Sequence, residues 1–328
     1  MNARRRALRE LAGLALAGLA LPCRALASGS DYPSQPITIV VVYPPGGGAD
    51  IVARDLGRKM TEAWNVPVVV ENRPGAGTTL AAAHVAKAEP NGYTLLMTDV
   101  SFAIAPALYK KLPYDTVRDL APISLVNGVA DALVVNRDLP VHTVRELIDY
   151  ARARPGQLSY ASAGNGTLNH LAPEIFCRMA GLDMTHVPYK GAIAALNDVM
   201  AGRCQVYVGA LVSVLPQLRD GRVRVLAVTG AHRSALLPDV PTVAESGLSG
   251  YDAEAWYGLL APAATAPAII EKLNRQVAII SSEADFRRRM VAQGNEVVAG
   301  TPAEFAAFLR AEIAKWRVAV AAAGASVD

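Results

Sequence analysis

Two short glycine-rich stretches carry the residue types best suited to chemistry. The first is Pro44-Pro45-Gly46-Gly47-Gly48-Ala49-Asp50, preceded by Tyr43, and the second is Ser162-Ala163-Gly164-Asn165-Gly166-Thr167. A β-rich run enters each, from Ile37 and from Ser159, and a helix-like pattern leaves each. A helix that starts at such a loop has first-turn N–H groups with no partner of their own. Those donors, with the positive end of the helix dipole, attract anions. The chemistry to expect is therefore binding of a small anion in a cleft with one loop on each side. Ser162, Asn165, Thr167 and the Asp50 region would add side-chain hydrogen bonds. Backbone donors suit a carboxylate without burying an arginine. Either loop alone is also explained as an ordinary tight turn; the same arrangement used twice favours the cleft.

Enzyme signatures are sparse. The first loop lacks the GxGxxG spacing of dinucleotide sites and the GK[ST] of a phosphate-binding loop. Neither a GxSxG elbow nor an HExxH motif occurs. The histidines, His84, His142, His170, His186 and His232, are scattered without ligand spacing. Only His170, one turn into the second helix, is expected near the cleft, with binding and packing both open to it. No Cys/His pattern implies a metal, and no cofactor is expected. Cys177 and Cys204 read better as two unpaired small apolar residues than as a disulfide, since a core of this size needs no staple.

The elements that must position the loops alternate as in an α/β fold. Strand and helix run from Ile37 to about Ala63, and Val66–Val70 is a second strand. Thr78 or Thr79 can cap a helix over Leu80–Ala88. A third strand, Tyr93–Thr98, ends in the polar patch Thr98-Asp99-Val100-Ser101, from which a helix runs towards Tyr109. Ala121–Val126 and Ala132–Val135 are strands placed for a crossing between domains. Thr143 caps an amphipathic helix stopped by Pro155-Gly156. After the second loop come a helix over Ala192–Ala201, strands Gln205–Val208 and Val223–Thr229 around a helix near Leu215, and a short helix from Asp239 to Gly247. Ala253–Leu260 is the return strand. Amphipathic helices over Pro267–Ile280 and Thr301–Val320 pack back on the first domain.

The chain has 328 residues, of which 52% are hydrophobic and 19% charged, enough to build sizeable cores. Arg4, Arg5, Arg6 and Arg9 precede an apolar run from Leu11 to Leu21 and the small residues Ala25-Leu26-Ala27. This order reads as a signal peptide over residues 1–27 and an exported protein. The run is too short for a permanent membrane anchor. A buried N-terminal helix, a twin-arginine signal at Arg5-Arg6 and a lipoprotein at Cys23 stay open as weaker readings. Five of the 32 basic residues and one of the 29 acidic ones fall in the leader, leaving 27 basic and 28 acidic, a formal net of −1. The basic balance thus belongs to the leader, and nucleic acid is not an expected partner.

Long stretches resemble the Bug family, the extracytoplasmic solute receptors of tripartite tricarboxylate transporters. They include YPSQPITIVVVYPPGGGADIVAR, VVVENRPGAGTTLAAAHVAKAEPNGYTLL, LSYASAGNGTLNHLAPEIF, HVPYKG and LAVTGAHRSALLPDVPTVAESGLSGYDAEAWYGLLAPA. The resemblance implies a two-lobed periplasmic binding protein, type II-like, each lobe a central sheet flanked by helices and joined by crossing strands. Residues 31–127 and 251–328 would form one lobe and 128–250 the other. It implies a periplasmic monomer that takes a small carboxylated solute and delivers it to integral membrane subunits of the transporter. The family's binding positions fall on Tyr43, on Pro45, Gly46, Gly47, Gly48, Ala49 and Asp50, and on Ser162 to Thr167, with Thr98 and Ser101 in the same cleft. One departure is that Gly209 stands where family members commonly carry an acidic or polar residue facing the ligand's far end. An acidic partner for a ligand ammonium is missing at that position, which favours a dicarboxylate or a plain monocarboxylate over an amino acid. Tyr207, Trp256 and Tyr257 are each open between the distal side of the cleft and the core. A periplasmic hydrolase using Ser162 and His170, and a ligand-sensing module for signalling, are the rival readings.

Overall fold

The computed structural model describes residues 32–323; the proposed signal peptide lies outside them. Two sheets organise the chain. Among the described residues the first has six strands and the second five.

In the first sheet, β1 (Ile37–Val41) lies between β2 (Val68–Asn72) and β3 (Thr94–Asp99), parallel to both. Ile37, Ile39, Val40 and Val41 are fully buried, as expected of a strand covered on both faces. Each such side chain contributes about 1.5–3 kcal/mol by leaving water. Then β10 (Ala255–Pro262) and β4 (Leu120–Val129) add antiparallel, and β11 (Asn295–Val297) closes the edge. The covering helices are α1 (Gly48–Trp64), α2 (Thr79–Ala86), α3 (Val100–Leu108), α8 (Pro267–Ser282), α9 (Ala284–Ala292) and α10 (Pro302–Ala323). Ion pairs pin α1 to the C-terminal helices, Lys59 to Glu283 and Asp285, and Arg289 to Asp55.

In the second sheet, β6 (Ser159–Ser162) lies between β7 (Thr185–Pro188) and β8 (Val206–Ala210), parallel to both. β5 (Asp131–Asn136) runs antiparallel between β8 and β9 (Val223–Val228). Helices α4 (Val144–Arg152), α5 (Leu168–Ala180), α6 (Ala192–Met200) and α7 (Leu211–Arg219) flank it. Thr143 caps α4 through its side chain, accepting from the Glu146 N–H.

The sheets exchange chain at two points. A single residue, Ala130, separates β4 from β5. The return passes through Thr229, whose N–H and hydroxyl both donate to the Asp131 carbonyl, and which binds the Ala253 backbone. The fold is thus two-lobed and α/β, with both crossings side by side.

Two local expectations differ from the structure. Residues 239–247 form no helix. Thr242 instead bridges Val228 at the sheet edge, and the Thr242–Glu245 capping pair closes only a turn. Backbone pairing of Val228 with Pro241 and Val243 takes the groups that a helix would have used. Neither Thr78 nor Thr79 caps α2 through its side chain. The run Gly75–Thr78 has positive φ throughout, which turns the Thr78 hydroxyl into the interior, and Thr79 donates back to Ala76. The elements α9 and β11 had no counterpart among the sequence expectations. Cys177 and Cys204 are buried free thiols.

Candidate functional site

Five helix starts point at one space between the sheets. Gly48 and Ala49 open α1, Leu168 and Asn169 open α5, Ala192, Ile193 and Ala194 open α6, and Ala210 and Ser213 lie at the start of α7. Asp99, the N-cap of α3, is the fifth. They line a cavity of about 670 Å³, its mouth included, with Asp131, Ala255 and Tyr257 contributed by the crossing strands. A wider groove of about 1280 Å³ adjoins it past Tyr43, Pro44 and Gly191. Helix starts from both lobes give the cavity unpaired N–H groups and positive dipole ends on opposite walls.

The first loop is held from behind. Asp50 is buried and accepts from the Gly46 N–H at 2.9 Å, Arg54 Nε at 3.0 Å and Asn72 Nδ2 at 2.9 Å. Burial alone would raise its pKa, but these donors hold it below the ordinary carboxylate value. Asn72 also donates to the Tyr43 carbonyl. Asp50 therefore shapes the loop and does not line the cavity. Gly48 is required for space, since a Cβ there would lie 2.2 Å from the Tyr257 hydroxyl oxygen.

The second loop consumes much of its own hydrogen bonding. The Gly164 N–H donates to Ser162 Oγ, the Gly166 N–H to His170 Nδ1, and the Thr167 hydroxyl to the Gly164 carbonyl. Ser162 Oγ lies 2.6 Å from His186 Nε2, and the His186 ring stacks on His170, 4.0 Å between centroids, and on Tyr160. Burial, then the neighbouring His170, lowers His186 to about 4. Ser162 is fully buried and lines neither the cavity nor the groove.

Of the residues expected at the site, Tyr43, Pro45, Gly47, Gly48, Ala49 and Ala163 line the cavity. Gly164, Asn165 and Thr167 line the groove. Gly46, Asp50, Thr98, Ser101, Ser162, Gly166, His170 and Gly209 line neither. Ser101 acts through Tyr43, whose hydroxyl lies 3.0 Å from Ser101 Oγ and donates to Asp99 at 2.8 Å. Trp256 belongs to the core, its indole N–H donating to Glu312. Tyr207 and Tyr257 line the cavity.

Four contributions escaped sequence reasoning: Asp131, Lys190, and the starts of α6 and α7. Asp131 had one signal, a lone charge between two apolar strands. Burial raises Asp99 to about 6, against the hydrogen bonds from Tyr43 and Ser101. Burial, then Asp99 and Glu254, raises Asp131 well above the carboxylate range. Among the described residues no group of three His, Cys, Asp or Glu is placed to hold a metal, and no helix is long and apolar enough to cross a membrane.

The sequence model described as "Tripartite tricarboxylate transporter family receptor" (TctC) matches residues 52–324. Protein BugT of Bordetella pertussis is 35% identical over 316 residues, covering 96% of each chain. Among solved structures, an R. palustris protein with adipate superposes with a TM-score of 0.88 at 34% identity, covering 90% of this chain and 100% of that one. MatC from Rhodopseudomonas palustris, with bound malate, gives 0.84 at 32% identity, covering 88% and 100%. Helix starts converging from two lobes and end-to-end similarity agree: the chain belongs to the TctC family of tripartite tricarboxylate transporter receptors, which includes the Bug proteins.

Proposed function

We propose that this protein is a periplasmic receptor that captures a small carboxylated solute by closing its lobes over it, then delivers it to integral membrane subunits of a tripartite tricarboxylate-type transporter. The moving bodies are residues 31–127 with 251–328, and residues 128–250. The protein acts as a monomer, exported by its leader. The observation that carries the reading is the convergence of helix starts from both sheets on one cavity. A carboxylate bridging them gains donors from each lobe only when the lobes are together, so binding favours the closed form. The bound adipate and malate of the two relatives support an organic acid as ligand.

X-ray scattering with and without a binding carboxylate tests this: the bound protein should be more compact. Gly48→Ala should weaken binding by about tenfold or more, because the new methyl displaces the Tyr257 hydroxyl from the loop. Unchanged scattering at saturation would count against closure.

The Ser162–His186 contact gives the hydrolase reading its one specific observation. A nucleophile must reach substrate, and Ser162 is sealed behind the loop, its Oγ already accepting from Gly164. Carboxylester turnover lost in Ser162→Ala would restore that reading, whereas stoichiometric binding without turnover supports the receptor.

A further inference from the structure

The cavity whose helix starts favour an anion has a carboxylic acid in its own wall. Asp99 lines it and is only 7% exposed. It caps α3 by accepting the Ser101 N–H on Oδ1, and its Oδ2 accepts from the Tyr43 hydroxyl at 2.8 Å. The Tyr43 oxygen also lies 3.0 Å from Ser101 Oγ. The hydroxyl can therefore point either way. With Asp99 ionised, it donates to Oδ2. With Oδ2 protonated, the new O–H donates to the Tyr43 oxygen, and the Tyr43 hydroxyl turns to Ser101 Oγ. Both arrangements use the same heavy-atom positions, so the three groups can take in a proton and keep their hydrogen bonds. The titratable groups around Asp99 bring no cation close. They are Tyr43 from the first loop, Tyr257, paired with Asp99 between β10 and β3, and Asp131 from β5. Across the cavity stand Tyr207 from β8 and the one basic side chain lining it, Lys190, which is exposed. Burial, then Asp99 and Glu254, already pushes Asp131 towards its neutral form. Asp99, raised by burial to about 6, is the acid of the two left to titrate near neutral pH.

We infer that carboxylate binding is coupled to the uptake of one proton from solvent, which Asp99 accepts on Oδ2 while Tyr43 reverses its hydroxyl. This rests on the receptor reading above and adds the regulation of that site by pH. The physical reason is charge. An arriving carboxylate and an ionised Asp99 share one cavity, and neither has a buried cation beside it. A like charge about 8 Å away disfavours an ionised acid by about tenfold or more at the effective dielectric of a protein. The loaded receptor therefore holds more protons than the empty one. Affinity is then greatest in mild acid and falls as pH rises above about 6, the value of Asp99 in the empty cavity. Acid surroundings favour capture, and a rise in pH favours release.

Titration calorimetry on the mature protein tests the inference, with a panel of short mono- and dicarboxylates that includes adipate and malate. For an acid that binds, the heat at neutral pH is measured in buffers of low and high ionisation enthalpy, which reads the protons exchanged. About 0.5–1 proton should be taken up per ligand, and affinity should fall by about three- to tenfold per pH unit between about pH 6 and 8. Asp99→Asn should bring the uptake close to zero and flatten the pH profile. Should that variant not fold, Asp99→Ser replaces it; both substitutes cap helices well and neither titrates. Asp131→Asn should leave the uptake in place. No proton exchange in the unaltered protein, or release in place of uptake, would overturn the inference and leave the receptor reading standing. So would an uptake that survives the loss of the Asp99 carboxyl. Binding of no carboxylate in the panel would instead strike down the receptor reading, and the inference with it.

Discussion

Gly209 and Tyr207 form one unit, two residues apart on β8. The ring lies back along its own strand because position 209 has no side chain. Gly209→Ala should therefore destabilise the protein by about 1–3 kcal/mol, the usual cost of overpacking a filled interior. Combining it with Tyr207→Leu should recover part of that loss, with a coupling of about 1–2 kcal/mol. Urea unfolding of the two single variants and the double variant measures it, and strictly additive losses would reject the steric account. Gly48 and Tyr257 repeat the device in the other lobe. At this scale the sequence was partly legible. The glycines of the first loop announce a close approach, but not that a tyrosine from residue 257 makes it. Asp50 sits where a ligand contact is expected, and its role as a brace depends on Asn72, 22 residues away.

The β6–α5 loop rests on an aromatic stack, and that stack should make it sensitive to acid. His186 and His170 are both depressed by burial, His186 to about 4 from an ordinary 6.5. Between those values the unfolded chain takes up protons that the folded one refuses. Stability is then lost as pH falls from 6.5 towards 4. Asp99 acts oppositely, since its pKa is raised from 3.8 to about 6 and stability from it falls as pH rises through that range. The difference between variants isolates the histidine. His186→Gln should lose less thermal stability than the unaltered protein over the acid window, and parallel curves would remove His186 as the cause. Elements with a continuous local pattern, such as β1, α1 and α4, were legible within a few residues, because strand burial and capping are local. The pairing of Ser162 with His186 was not. The sequence suggested His170, one turn along the same helix, whereas His186 arrives through the parallel pairing of β6 with β7.

Over the whole molecule, the lobes touch where side chains are smallest. A Cβ at Gly46 would lie 2.9 Å from Ile193 Cδ1 in the other lobe, and one at Gly191 would lie 3.1 Å from Pro44. Ile193 is nearly half exposed, so enlarging it should leave the fold intact and wedge the lips. Ile193→Trp should weaken ligand binding by about tenfold and keep the scattering profile expanded at ligand levels that close the unaltered protein. Closure to the same dimensions would refute the lip contact. Two lobes and a crossing were legible from the order of strands; which residues meet across the gap was not, because those contacts join segments about 150 residues apart, as with Gly46 and Ile193. The position of Asp131 has a mechanical consequence. It is the first residue of β5, one step past Ala130, where the chain crosses from one sheet to the other. If the lobes swing about the crossings on that proposal, a group there moves little, while the glycine lips travel further. On the closure proposed above, the backbone at Asp131 would keep much the same place in the open and the closed receptor.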